Sequence, residues 1–346
     1  MTNPLGWLRA KGRAALIARS RPAEGEVAVS YGHRRIPVPG ESVEGGMVKF
    51  QRLQRVFPHR PRDFNLLYLG SSSLPTDEQT VIALARRRGA PLVVNQNGVA
   101  YPAWAGNRTG QLNDRLRAVL EEATHVIYQS DFCKSAADRY LGAPPGTWEI
   151  LPNAVDTNEF TPGEPPTGGP VLLLGGDQTQ AYRVQTGLET LALLPKARMI
   201  VTGSLAIDAE AVARELGVAE RVEMTGRYAQ RDAPAVYRCA HVLLHPKVRD
   251  PCPNVVLEAL ACGVPVVHSA SGGVPELVGE GGIGVESEAT WEEDVPPSSE
   301  ALADAVRTVL SDHDAYRSAA RARAVERFDL EPWIERHRQL FAELVR

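Results

Sequence analysis

The sequence predicts an α/β protein built from two Rossmann-like, doubly wound domains, and three observations predict it. Short β-rich apolar runs alternate with longer helical patterns along the chain. The runs are continuously apolar, as strands of a parallel sheet covered on both faces are. One proline- and glycine-rich interruption, TPGEPPTGGP from Thr161 to Pro170, divides the chain near its middle. At 346 residues the chain is too long for one ordinary core and comfortable for two.

The elements follow in order. Candidate strands are Val27–Ser30, Leu66–Leu69, Leu92–Val94, His125–Tyr128 and Trp148–Leu151, then Val171–Leu174, Arg198–Thr202, Arg221–Thr225, His241–His245 and Pro265–His268. Segments between them, such as DEQTVIALARRRG and SEALADAVRTVL, have helical spacing. Four prolines and three glycines within Thr161–Pro170 can continue neither a helix nor a central strand, so this stretch reads as a linker. The expected domains are 1–160, with 1–26 a basic lead-in helix, and 171–325, with 326–346 a closing helix. In α/β sheets ligands bind outside the carboxyl ends of the strands, and two facing domains would form a cleft there.

Composition bounds the function. Hydrophobic residues make up 43% and charged residues 23%, an ordinary soluble composition, and the net charge of −4 gives no global field for nucleic acid. Cys133, Cys239, Cys252 and Cys262 are scattered, with no CxxC and no zinc spacing. They read as reduced thiols, which points to the cytoplasm. No apolar run reaches membrane-span length and no signal peptide is recognisable. Between Met1 and Ala23, however, Arg9, Lys11, Arg13, Arg19 and Arg21 meet no acid and are interleaved with Trp7, Leu8, Leu16 and Ile17. Such a segment is able to lie on the inner face of an anionic membrane. The alternative, favoured by the short apolar stripe, is a helix packed on its own domain. His33, His59, His241 and His268 have no partners at ligand spacing. GxGxxG and P-loop signatures are both absent, so a dehydrogenase or P-loop reading loses its main support.

The most informative stretch is DPCPNVVLEALACGVPVV, from Asp250 to Val267. Pro251 and Pro253 push the residues before them out of helical geometry, leaving Asp250 in an extended loop at a strand's carboxyl end. Asn254 is a good N-cap for the helical run that follows, and Gly263 suits its end. Glu258 then lies about one turn inside the helix. A helix start with unpaired N–H groups is a seat for phosphate. A carboxylate able to accept two hydrogen bonds suits a ribose diol. The stretch therefore reads either as a cradle for a nucleotide sugar or as a capped core helix with incidental acids.

This stretch resembles the E-x7-E region of the retaining glycosyltransferases of family four, which have the two-domain GT-B fold. EILPNAVDTNEF (Glu149–Phe160) is similar to the family's IPNGVD segment, and SGGVPELV (Ser271–Val278) to its GG-x-PE-x-V loop. VEGGMVKFQRL (Val43–Leu53) resembles the glycine pair opening its first helix, and YQSDFCKSAADRYLG (Tyr128–Gly142) its S-x-x-x-K segment. The matches keep the family's order and cover most of the chain from about Val27. They are silent on substrate.

The resemblance implies roles. Glu258 stands where the family's second glutamate binds the donor ribose; the alternative is a helix acid stabilised by the dipole. Asp250 stands at the first glutamate, which contacts the transferred sugar, with a shorter reach. Asn254 and Val255 would present the helix start to the donor. Cys252 and Pro253 replace the usual Phe-Gly, and Pro253 brings no N–H. The family's arginine and lysine for the leaving diphosphate fall in GGDQTQAYRVQTGLETL, where Gln178 stands near the arginine position. Arg183 takes the lysine's place unless Tyr182 does; the alternative is a surface cation. Lys247 stands where the family has Ser. It is either a replacement phosphate ligand or half of a weak Asp250–Lys247 surface pair.

In the first half, Gly45 and Gly46 would let the backbone approach the donor phosphates, or simply form a tight turn. Asn97 replaces a histidine that touches the sugar, or forms an Asn-Gly turn. Tyr101 and Trp104 would stack on an acceptor, or are core aromatics. Asn153 and Asp156 would hold the turn between domains, and Glu276 the GG-x-PE loop. No DxD motif is present, so no obligatory metal and no cofactor are expected. The expected activity is transfer of a hexose-type sugar from a nucleotide-diphosphate sugar, UDP- or GDP-linked first among candidates, to an acceptor hydroxyl. That acceptor would be a glycan, glycolipid or natural product, and the enzyme a monomer or dimer. A nucleotide-sugar epimerase or hydrolase, and a non-catalytic nucleotide-sugar binding module, are the competing readings.

Overall fold

The computed structural model describes residues 4–21, 23, 25–38, 41 and 45–346. The side chains of Trp7, Leu8, Arg9 and Lys11, and residues Val43 and Glu44, lie outside the described residues. The chain divides into two compact units. The first holds Met1–Tyr101, Ala105–Pro152 and Glu331–Arg346; the second holds Pro102–Trp104 and Asn153–Leu330. The proline-rich stretch Thr161–Pro170 thus lies within the second unit.

The first unit carries a parallel sheet of β1 (Val29–Ser30), β2 (Leu66–Gly70), β3 (Leu92–Gln96), β4 (His125–Tyr128) and β5 (Thr147–Ile150), in that spatial order. Strand β1 is shorter than the predicted Val27–Ser30 because only Val29 and Ser30 pair with β2. An aromatic cluster fills one side: Tyr31 stacks on Phe50 at 5.3 Å, and Phe341 meets Phe57 at 5.0 Å and Tyr68 at 5.7 Å. The helix Leu330–Leu344 brings Phe341 and His337 into this core, where His337 Nε2 lies 3.2 Å from the Tyr68 hydroxyl.

The second unit carries β6 (Val171–Leu174), β7 (Arg198–Thr202), β8 (Val222–Gly226), β9 (Val242–His245), β10 (Val266–Ser269) and β11 (Gly282–Val285). All pairings are parallel and the order is β11-β10-β9-β6-β7-β8. Strand β11 was not among the predicted strands. Its sequence GIGV holds two glycines and it lies at the sheet's edge, so it lacks the apolar run that marks its neighbours.

Alternate residues of this sheet enter two cores. Leu173, Leu243 and Val266 pack with Val256, Leu257 and Leu260 of the helix Asn254–Ala261. Leu172, Leu174, Val242, Leu244 and Val267 pack with Val184, Leu188 and Leu191 of the helix Ala181–Ala192, and with Leu302 and Val306. Burial on both faces is why these strands read as unbroken apolar runs. The chain leaves β6 toward β7 and β8, then returns to place β9 on the other side of β6. The direction of winding therefore reverses between β6 and β9, where α/β sheets bind ligands at their carboxyl edge.

Candidate functional site

Two loops flank that reversal, Gly175–Gln180 after β6 and Pro246–Pro253 after β9, each feeding a helix. Asp250 lies in the second loop, as its prolines predict. Asn254 is not the N-cap that its residue type predicts. Pro253, with φ −72° and ψ 127°, occupies the cap and Asn254 is the first helical residue. The fixed proline ring keeps the extended loop going one residue further and supplies no side-chain cap. Gly263 ends the helix at φ 67°, as its spacing predicts.

Asp250 is 8% exposed. Its Oδ2 lies 3.1 Å from Lys247 Nζ and 3.1 Å from His245 Nε2. Burial alone would raise the Asp250 pKa. The charge of Lys247, the hydrogen bond from His245 and the charge of Arg183 outweigh it and hold the carboxyl well below the usual range. The Asp250–Lys247 pair is therefore no exposed surface pair: one partner is buried and the other is 26% exposed.

The backbone around Asp250 is braced from the loop after β10. Gly272 has φ 73°, and a Cβ there would lie 2.6 Å from the Asp250 carbonyl oxygen. Gly273 N–H donates to that oxygen at 2.9 Å. Arg249 is the one described non-glycine residue at positive φ, 52°. Its N–H donates to Ser271 Oγ at 3.0 Å, its guanidinium pairs with Asp294 at 2.7 Å, and it lies over Trp291 at 5.2 Å. These contacts hold a conformation that costs free energy locally. The GG-x-PE resemblance thus acquires a physical reason: the glycines let this loop touch the Asp250 backbone.

From the other side of the reversal comes Arg183. It is 4% exposed, and its guanidinium donates to the carbonyls of Asp177 at 2.7 Å and Gly175 at 3.4 Å. Burial pulls its pKa down, while Asp250 nearby pushes it up. It sits beneath the loop rather than on the surface. Gln178 is fully buried, and its amide nitrogen reaches the carbonyls of Gly176 at 2.7 Å and Gly175 at 3.1 Å. Its backbone ties this loop to the one after β7 through Ser204 at 2.8 Å and Ala206 at 3.0 Å. Gly176, at φ 79°, comes against Val255, so this loop meets the start of the helix after β9.

One turn deeper, Glu258 is 9% exposed and its Oε2 accepts from the Tyr237 hydroxyl at 2.8 Å. Burial first, then Glu258, raises the Tyr237 pKa well above its ordinary value, so the phenol stays protonated and donates. Cys252 Sγ accepts from the Asn153 backbone N–H at 3.3 Å, and the Asn153 amide donates to the Cys252 carbonyl at 3.0 Å. Asp156 accepts from the N–H groups of Asn158 and Glu159, a local turn.

The structure thus groups Asp250, Lys247, Arg183, Asn254 and Val255 at one sheet edge, with Glu258 just below. In the first unit, Gly46 and Asn97 both reach the turn Ser71–Ser73. Gly46 packs under Ser72, where a Cβ would lie 2.7 Å from the hydroxyl, beside Gly45 at the start of the helix Gly45–Leu53. Asn97 Oδ1 accepts from the N–H of its neighbour Gly98 at 2.7 Å, and the Asn97 backbone N–H donates to Ser71 Oγ at 2.9 Å. Tyr101 is buried, whereas Trp104, in the second unit, is 46% exposed. Lys134 pairs with Asp138 and lies 4.7 Å over Trp148. Sequence alone does not mark His245 or Tyr237 as part of this site. His245 and Tyr237 lie five and twenty-one positions from the acids they bind, outside any local motif. Among the described residues no three His, Cys, Asp or Glu side chains are arranged to hold a metal ion, and no helix is long and apolar enough to cross a membrane.

Residues 170–312 match the family model described as Glycosyl transferases group 1. The chain is 31% identical over 221 residues to D-inositol 3-phosphate glycosyltransferase of Mycobacterium sp. (strain JLS), covering 57% of this chain and 50% of that protein. It therefore spans about half the length of this curated relative. Sucrose-phosphate synthase of Thermosynechococcus elongatus superposes with a TM-score of 0.69 at 17% identity, covering 99% of this chain and 94% of that one. Anabaena HepE in complex with UDP-glucose gives 0.67 at 20% identity, covering 81% and 79%. The fold of this chain is GT-B: two Rossmann-like α/β units, each built on a parallel sheet.

Proposed function

We propose that the protein is a retaining glycosyltransferase that moves a hexose-type sugar from a nucleotide-diphosphate sugar to an acceptor hydroxyl without a metal. The observation that carries this reading is the buried Glu258, held by Tyr237 one turn below a helix start that has Asp250 and Lys247 in the loop before it. The group 1 match over residues 170–312 covers this region, and a solved structure of the same fold is described as a complex with UDP-glucose.

In this reading Glu258 holds the ribose diol, and the N–H groups at Asn254 and Val255 face the diphosphate. A cavity of about 350 Å³ at the carboxyl ends of β7 and β8, lined by Leu205, Ile207 and Met224 among others, would take the base. The C1–O bond to the diphosphate breaks with its electron pair leaving on the phosphate oxygen. Lys247 and the helix start stabilise that charge, with Arg183 acting from beneath the loop. The acceptor oxygen bonds C1 from the same face, and its proton passes to a donor phosphate oxygen. The acceptor would be bound by the first unit, where Asn97 and Tyr101 are the candidate contacts.

A binding module that holds a nucleotide sugar without turnover is the second reading. It is favoured by one observation: Arg183 and Gln178 are both engaged by carbonyls of their own loop. Incubation with UDP- and GDP-sugars and a panel of glycan, glycolipid and small hydroxylated acceptors separates the two. Acceptor-dependent nucleotide release, with an α-linked product from an α-linked donor, supports transfer. Tight donor binding with no release, or release with inversion, contradicts it.

A further inference from the structure

His245 closes strand β9 and is 1% exposed. Its Nε2 and Lys247 Nζ both lie 3.1 Å from one oxygen of Asp250, Oδ2. Neither contact is made to Oδ1. A carboxylate can only accept, so Nε2 must carry the proton it donates. A neutral imidazole then has its lone pair on Nδ1, and that atom is buried with no hydrogen-bond partner among the described residues. The groups around the ring are Asp250 and Lys247 on the following loop, Arg183 from beneath the β6 loop, and His268, its register partner on β10. Burial, then Arg183 and Lys247, disfavours a second proton, and Asp250 only partly offsets them.

Lys247 alone would not fix the carboxylate. It is a partly exposed point charge on a flexible stem, and it attracts Asp250 without setting its plane. A ring anchored at the end of a central strand can do so. We propose that His245 is a positioning residue for Asp250: its Nε2–H fixes Oδ2 and leaves Oδ1 to receive a hydroxyl of the transferred sugar. The inference rests on the donor-site reading of Asp250, but its first half concerns this chain alone.

The test begins without ligand. In ¹⁵N-histidine-labelled protein, NMR should find His245 as the neutral Nε2–H tautomer at neutral pH. Carboxyl ¹³C titration should place the Asp250 midpoint higher in His245→Phe than in wild type. His245→Gln, which keeps an N–H near the ε position, should bring it back toward wild type. A merely structural histidine gives no such rescue. With UDP-glucose as probe, His245→Phe should lower kcat for sugar release about ten- to a hundredfold while KM stays near wild type. The Gln variant should recover most of that loss. An Nδ1–H or doubly protonated ring, an unmoved Asp250 midpoint in a folded His245→Phe protein, or equal kcat in both variants and wild type would overturn the proposal. Failure of the donor-site reading looks different: UDP would fail to raise the Tm of the wild type while the NMR result stood.

Discussion

The hydroxyl of Tyr237 donates to Oε2 of Glu258 across 2.8 Å, and both side chains are largely removed from water. Tyr237→Phe keeps the ring's packing and removes this donor to a charged acceptor. The expected loss is about 1.5–3 kcal/mol in urea unfolding. Nucleotide affinity should fall less than in Glu258→Ala, because the carboxylate that would meet the ribose remains. Equal affinity losses in the two variants would show that Tyr237 itself contacts the ligand.

Gly272 bears the Asp250 backbone. Alanine there must adopt φ 73° and place its Cβ 2.6 Å from a carbonyl oxygen. Gly272→Ala should destabilise the protein by about 1–3 kcal/mol and displace Asp250. Gly12→Ala, at a helical glycine with open space around it, is the control and should be neutral or stabilising. Thermal and urea unfolding of both variants check the difference.

His337 gives the stability a pH dependence. Burial lowers its pKa from the ordinary 6.5 to about 4, so the folded state binds this proton less readily than the unfolded state. The stability it contributes is complete above pH 6.5 and is lost as pH falls from there toward 4. The loss at the acid end of that window is about 3 kcal/mol. His337→Gln should flatten this part of the urea-midpoint profile. A slope unchanged by the substitution would assign the dependence elsewhere.

Lys247 separates charge from base recognition. Lys247→Met removes the partly exposed cation beside Asp250 and the helix start. Affinity for a nucleoside diphosphate should fall about tenfold or more while affinity for the matching nucleoside stays unchanged. Calorimetry on the pair of ligands measures both.

Much of this was legible in the sequence. The inner strands of the second unit were readable because helices cover both faces, which leaves an uninterrupted apolar run such as VLLL. Strand β11 was not, because an edge strand with two glycines carries no such run. The places of Asp250 in a loop and Glu258 in the following helix were legible because prolines and a helical run fix them locally. His245 was passed over because its partnership with Asp250 arises from a loop folding back on a strand end, which spacing does not encode. Asn254 was misplaced by one position because cap preference ranks side chains, whereas here the backbone of Pro253 decides. Arg183 and Gln178 share this lesson: a polar residue in or just after a glycine-rich loop can face a ligand or the loop's own carbonyls, and only packing tells which.

The most direct test of the central claim is a thermal-shift comparison of wild type and Glu258→Ala with UDP, GDP, ADP and dTDP. A ligand that binds the folded state raises Tm. One nucleotide should raise the wild-type Tm, and Glu258→Ala, folded, should lose most of that rise. If no nucleotide shifts the wild type, or if Glu258→Ala retains the full shift, the helix Asn254–Ala261 is a core element with an incidental acid and the donor site lies elsewhere.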